Sequence, residues 1–283
     1  MGRGRLVSRY PKDWKARVWH AFNTTDQNAK KRLDALLIVL TSRMIARGSR
    51  YDGNRPWLDN AVTEHARARF HAILARTKPG GIKEALAADS LDEESEPLWK
   101  VETGIPVPRE PKELASAVAP MLRCASEIVF VDPHFDPTLR RFVRTLEAFL
   151  EVAFCDRPCP PPSRIEVQTS SKLDRDYFVN KCRDYLPAVV PYDVELRLVR
   201  KIERSSGEKL HNRFILTDIG GVMFGIGLDD PGGDLGQSDD LHLLDRRQYQ
   251  KRWAQYAGEA PAFDIDGRPT TIEGRKPMKG RKE

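Results

Sequence analysis

The strongest constraint on this chain is the way apolar periodicity changes between residues 127 and 256. EIVFVDPHFDP (127–137) opens with an unbroken apolar run that Asp-Pro stops, which is the pattern of a buried strand. TLRRFVRTLEAFLEVA (138–153) then repeats its apolar residues at helical spacing. RIEVQTS (164–170) returns to strand, KLDRDYFVNKCRDYL (172–186) to helix, and DVELRLVR (193–200) to strand. HNRFILTD and GGVMFGIG form two further strands joined tightly at Ile219-Gly220, and LLDRRQYQKRWAQY (243–256) is helical. A chain that alternates in this way builds an α/β fold, with a mixed sheet flanked by helices.

The first hundred residues obey a different rule. AKKRLDALLIVLTSRMIARG (28–47) sets Leu33, Leu36, Leu37, Leu40, Met44 and Ile45 at helical spacing, with Gly48 placed to end the helix. WLDNAVTEHARARFHAILAR (57–76) repeats the pattern with Leu58, Val62, Phe70, Ile73 and Leu74 before KPGG. An N-terminal helical region over 1–103 is therefore expected, with the acidic DSLDEESEP (89–97) as a loop. GIPVPREPKE (104–113) has the proline density of a linker into a short helix, leading into an α/β domain over 104–257. The Gly-, Pro- and Lys-rich stretch 258–283 is expected to be a disordered basic tail.

At 283 residues with 40% apolar and 31% charged composition, the chain has the material for a real core and a polar surface. No run of eighteen apolar residues is present, and the basic opening MGRGRLVSRYPKDWK lacks the apolar segment of a secretory signal, so a cytoplasmic protein without membrane contact is expected. Cys124, Cys155, Cys159 and Cys182 show no CxxC spacing; Cys155 and Cys159 flank the Pro-rich FCDRPCPPP without histidines nearby, which fits incidental thiols rather than a metal site. The net charge is +6, unevenly spread: residues 1–57 hold thirteen Lys/Arg against four Asp/Glu, while 229–245 hold six Asp and no Lys or Arg. A basic N-terminal face suits an acidic partner, of which nucleic acid is the commonest, although a solvated helical surface gives the same count.

The chemistry concentrates in HNRFILTD. On an extended chain His211 and Arg213 point the same way. An imidazole beside a guanidinium suits a phosphoryl group: the first can attack phosphorus or move a proton, and the second forks onto two phosphate oxygens. Asp218 comes next, at the turn. Asp132, His134 and Asp136 lie just past the first strand, where the carboxyl ends of strands line ligand crevices, so His134, Asp132 and Asp229 are candidate cleft-lining residues. A plain ion pair of Arg213 with Asp229 or Asp218 is the structural alternative. Asp239, Asp240 and Asp245 raise a rival divalent-cation site, though in no known loop spacing. His242 is read as structural.

His-x-Arg, four residues, Asp218, six residues and then a Gly-rich segment from Gly225 resembles the HKD motif of the phospholipase D superfamily, His-x-Lys-x4-Asp-x6-Gly-Ser-x-Asn. The order of elements over 110–257 is similar to one half of that fold. Two departures stand out: Arg213 takes the Lys position, and Gly225-Ile226-Gly227-Leu228 lacks the Ser and Asn, with Asp229 and Asp230 just beyond. More loosely, 211–256 resembles uncharacterised bacterial phospholipase D-like proteins linked to antiviral gene clusters. The resemblance implies a phosphodiesterase that needs no metal or other cofactor, with His211 as nucleophile or general acid, Arg213 as phosphate clamp and Asp218 as an orienting or hairpin-fixing group. In the family two motifs meet at one site, so a chain holding one implies a homodimer with two copies of His211 face to face. A nuclease in prokaryotic defence is the expected function, and an inactive interaction or nucleic-acid-binding subunit of a larger assembly is the alternative.

Overall fold

The computed structural model describes residues 7–41, 44–78, 80–91, 96–100, 102–232 and 236–276; the expectations for 1–6, 92–95 and 277–283 lie outside the described residues. The chain divides into two compact units, 5–102 (with 158–160) and 103–283 (without them).

The first unit contains β1 (Val7–Ser8), α1 (Trp14–Ala21), α2 (Gln27–Thr41), β2 (Met44–Ile45), α3 (Trp57–Arg67), β3 (Ile73–Ala75) and β4 (Ala85–Ala87). β1 pairs in parallel with β2, and β3 with β4. Both helical expectations are therefore shortened at their C-terminal ends. α2 stops at Thr41, where β-branched Ile38, Val39 and Thr41 weaken helix propensity and Thr41 Oγ1 bonds back to the Leu37 carbonyl (2.6 Å). Met44 and Ile45 then enter a strand. α3 ends at Arg67 because tertiary contacts capture the next residues: Arg47 Nη2 donates to the Ala68 carbonyl (2.7 Å) and its guanidinium lies 4.3 Å from the Phe70 ring centre. Packing is thin here, with no buried residue on α1 and Leu37 alone on α2.

The second unit is a mixed sheet flanked by helices. Its elements are β5 (Gly104–Pro108), α4 (Pro111–Cys124), β6 (Glu127–Val131), α5 (Arg140–Phe154), β7 (Arg164–Ser170), α6 (Arg175–Tyr185), β8 (Glu195–Glu203), β9 (Arg213–Thr217), β10 (Gly220–Phe224), β11 (Ser238–Leu243), α7 (Arg246–Tyr256), β12 (Phe263–Ile265) and β13 (Thr270–Glu273). Strand order is β12-β8-β7-β6-β9-β10-β11-β5, with β13 also on β8. β6, β7 and β8 run parallel, and every other pairing is antiparallel.

Two findings correct the sequence reading. The proline-rich GIPVP is an edge strand, not a linker; Pro106 and Pro108 are tolerated because an edge strand needs its ladder bonds on one side only. Residues 258–283 are not a disordered tail throughout, since β12 and β13 both pair with β8 and bury Phe263 and Ile272. One face of the sheet packs the apolar sides of α4, α5 and α6 (Leu114, Phe142, Phe149 and Phe178 among them) against Ile128, Phe130, Ile215 and Phe224. The other face carries a smaller core of Val129, Val131, Phe214, Leu216, Tyr256 and Phe263, closed partly by α7.

Candidate functional site

Register brings the candidate residues to one edge of the sheet. Val131 at the end of β6 stands opposite Phe214, and Arg213 stands opposite Phe224 at the end of β10. Asp132 and His134 therefore leave β6 at the edge where His211 and Arg213 enter β9 and Gly225 leaves β10. This is the carboxyl end of the parallel strands β6, β7 and β8, where open α/β sheets form crevices.

Each group there has a specific environment. His211 is exposed, and its Nδ1 lies 3.2 Å from the Lys209 carbonyl. A carbonyl only accepts, so Nδ1 is the donor in that contact, and in the neutral ring this leaves the lone pair on Nε2. Arg213 is half-buried, yet its guanidinium makes no hydrogen bond or ion pair with a described residue, and its Nε is buried without a partner. Asp132 is almost fully buried. Its Oδ1 accepts from the His134 amide (2.9 Å) and its Oδ2 from the Leu228 amide (2.9 Å). Burial raises its pKa against those amides and against the nearby charge of Arg213. His134 is exposed on the turn that Asp132 fixes, and Ser170 Oγ holds the same turn by donating to the Pro133 carbonyl (2.6 Å).

The segment after β10 is tied down by a set of arginines that the sequence reading missed. Arg109 Nη2 donates to Asp229 Oδ1 (2.7 Å) and to the Asp229 carbonyl (3.0 Å), and Arg141 Nε lies 3.2 Å from the other Asp229 oxygen. Arg144 Nη2 donates to Asp230 Oδ1 (2.7 Å). Asp229 and Asp230 thus have their charge compensated by cations from β5's end and from α5, and Asp229 does not pair with Arg213. The signal was present as arginines 141 and 144, three apart on one helix, beside an Asp-Asp pair. Asp239 is likewise buried, accepting from the Gly225 (2.9 Å) and Ile226 (3.1 Å) amides.

Asp218 stands apart from this edge. It lies beyond the opposite end of β9, roughly 17 Å of extended chain away, and its Oδ1 accepts from the Ser126 (2.7 Å) and Glu127 (3.1 Å) amides. It fixes the start of β6 against the β9–β10 turn and is a hairpin-fixing group, not part of a reacting constellation. The rival cation site also comes apart. Asp239 holds amides, Asp245 caps α7 through the Gln248 amide (2.8 Å), and Asp240 is exposed on β11. No group of three or more His, Cys, Asp or Glu able to hold a metal occurs among the described residues. None of the four cysteines forms a disulfide; burial pushes the Cys182 thiol up to about 12, while Cys155 is exposed. Among the described residues no helix is long and apolar enough to cross a membrane.

Comparison with known proteins adds little to this geometry. No protein-family model matches the chain, and no curated protein matches it. Among solved structures, it is similar to TrmBL2, an archaeal chromatin protein described as showing a novel mode of DNA binding, at 18% identity and a TM-score of 0.27. That match covers 58% of this chain and 55% of the other, so the chain spans about half the length of that protein. A likeness this slight defines neither fold nor function.

Proposed function

We propose that this chain is a metal-independent phosphodiesterase of the phospholipase D type, acting on nucleic acid, with the active site completed by a second copy of the chain. The observation that carries the reading is Arg213: a half-buried guanidinium with no hydrogen bond or ion pair to a described residue, at the sheet edge where His211 is exposed. A cation left unpaired in such a place favours binding a dianionic or monoanionic oxygen group. In the reaction, His211 Nε2 forms a bond to phosphorus as the phosphorus–oxygen bond to the leaving group breaks. The departing oxygen takes a proton from the partner's protonated His211. Water then displaces the histidine, giving up its proton to that same second imidazole. Arg213 holds the phosphoryl oxygens as charge builds on them. Exposed Lys12, Lys15, Lys31, Arg32, Arg50 and Arg55 of the first unit supply positive charge for a polyanionic substrate.

The test is to trap the intermediate. Turnover of an oligonucleotide with a labelled scissile phosphate is stopped in alkali, where phosphohistidine survives, and the label is expected on the peptide that carries His211. Turnover with no label retained on protein would remove the covalent step. A second reading is favoured by one observation: where the family pattern has Ser and Asn, this chain places exposed Ile226 and buried Leu228, whose amide is already committed to Asp132. On that reading the edge binds phosphate without cleaving it, and the chain serves as a nucleic-acid-binding subunit of a larger assembly.

A further inference from the structure

Helix α7 (RRQYQKRWAQY) contains four cations and no acidic residue. Its inner side is settled: Tyr249 Oη donates to the Thr217 carbonyl (2.7 Å), Tyr256 is buried against Phe214 and Phe263, and Arg252 is bound to Glu208. At 100° per residue, the side turned away from these contacts is centred on Arg247, Gln250, Lys251 and Ala254, with Arg246 at its margin. Arg246, Arg247, Gln250 and Lys251 are all exposed. Neither Arg246 nor Arg247 makes an ion pair with a described residue, and Lys251 touches acid only through its charge on Glu208, which Arg252 already neutralises.

This arrangement works against the helix itself. Arg246 and Arg247 occupy the first turn, where the helix dipole disfavours positive charge, and Arg247 and Lys251 are a like-charged i,i+4 pair. The capping box of Asp245 and Gln248 stabilises that start, its two bonds at 2.8 and 3.1 Å. Cations kept on one face against both local effects would be stabilised by an external anion.

We propose that the outward face of α7 docks on the phosphate backbone of duplex nucleic acid. Its occupant is set by charge and by what the face lacks. Arginine and lysine at helical spacing, with an amide between them, match a row of phosphates. No large apolar side chain is exposed on α7, since Tyr249, Trp253 and Tyr256 all turn inward, so the face has nothing to insert into a bilayer. The surface is independent of whether the Arg213 edge hydrolyses anything.

The experiment uses the full chain and a fluorescein-labelled duplex of about two helical turns, with anisotropy read at 50 and 200 mM salt. Arg247→Glu/Lys251→Glu is expected to bind at least tenfold more weakly at 50 mM salt. Its salt slope should be shallower by about two, so raising salt over this range weakens the parent about tenfold more than the variant. Lys112→Glu/Arg183→Glu, which changes net charge equally at exposed positions elsewhere, is expected to bind within threefold of the parent. Equal weakening in both double variants would reduce the effect to net charge and overturn the proposal. Parent protein that binds phosphatidylserine vesicles but no duplex would overturn it too. Arg213→Ala with duplex affinity retained but phosphodiester hydrolysis lost would separate this surface from the reading of the sheet edge.

Discussion

At the scale of single residues, Arg213 is the pivot, because it opens β9 with its guanidinium unpaired among the described residues, while Arg109, Arg141 and Arg144 are engaged. Arg109, Arg141 and Arg144 neutralise Asp229 and Asp230, and neither of these carboxylates pairs with Arg213. Replacing Arg213 by Ala should lower phosphodiester hydrolysis by about 10²–10³-fold, the loss typical of a group that stabilises charge in a transition state. Arg213→Lys keeps the charge but loses the bidentate fork, so it should cost roughly tenfold. Steady-state hydrolysis of bis-p-nitrophenyl phosphate measures both, and a Lys variant as impaired as the Ala variant would mean that fork geometry, not charge, is what matters. The sequence carried His211 and Arg213 plainly, since their spacing is local. It placed Asp218 at the turn but could not give its partners, the Ser126 and Glu127 amides, 92 and 91 residues away. Nor could it pair Asp229 with Arg109, 120 residues away.

At the scale of elements, β7 and β8 are joined on the less covered face of the sheet by a buried carboxylate. Glu166 accepts from Arg164 (3.0 Å) and Gln168 (2.9 Å), and Arg197 from β8 reaches its other oxygen (3.0 Å). Burial alone would raise the pKa of Glu166, but Arg164, Gln168 and Arg197 together outweigh it and hold the carboxyl below its ordinary value. A depressed folded-state pKa stabilises the fold at pH above the unfolded value, near 4.5, and that contribution is lost as pH falls through the lower, folded pKa. Glu166→Gln should therefore cost about 2–3 kcal/mol at pH 7, toward the lower side for a buried pair because both arginines are partly exposed. Urea denaturation should show the gap between parent and variant shrinking below pH 4.5, and a gap independent of pH would deny the carboxylate this role. The major helices and the strands β6 to β10 were legible because their apolar periodicity is long and unambiguous. In the second unit, four strands were not. β5 is written in prolines that only an edge position permits, and β11 buries Asp239 where a strand pattern would place an apolar residue. β12 and β13 have three and four residues, too few for a period to register, and are held by β8. In the first unit, α3 ends where Arg47 captures the chain, a contact between residues twenty-one apart that no local pattern announces.

At the scale of the whole molecule, the proposed function makes the active site a property of an assembly, because each chain has a single His-x-Arg segment. Phosphohistidine chemistry needs one imidazole to attack and another to protonate the leaving oxygen. His134 shares the sheet edge with His211, but it sits on a turn held by Asp132 and Ser170, whereas a two-fold axis would supply a second His211 in an equivalent setting. The most direct measurement is cleavage of end-labelled single-stranded and duplex oligonucleotides in excess EDTA by the parent chain and by His211→Ala. Metal-free cleavage by the parent, slowed at least about 10³-fold in the variant, is the expected result; equal rates in the two proteins, or cleavage that EDTA abolishes and added metal restores, would contradict it.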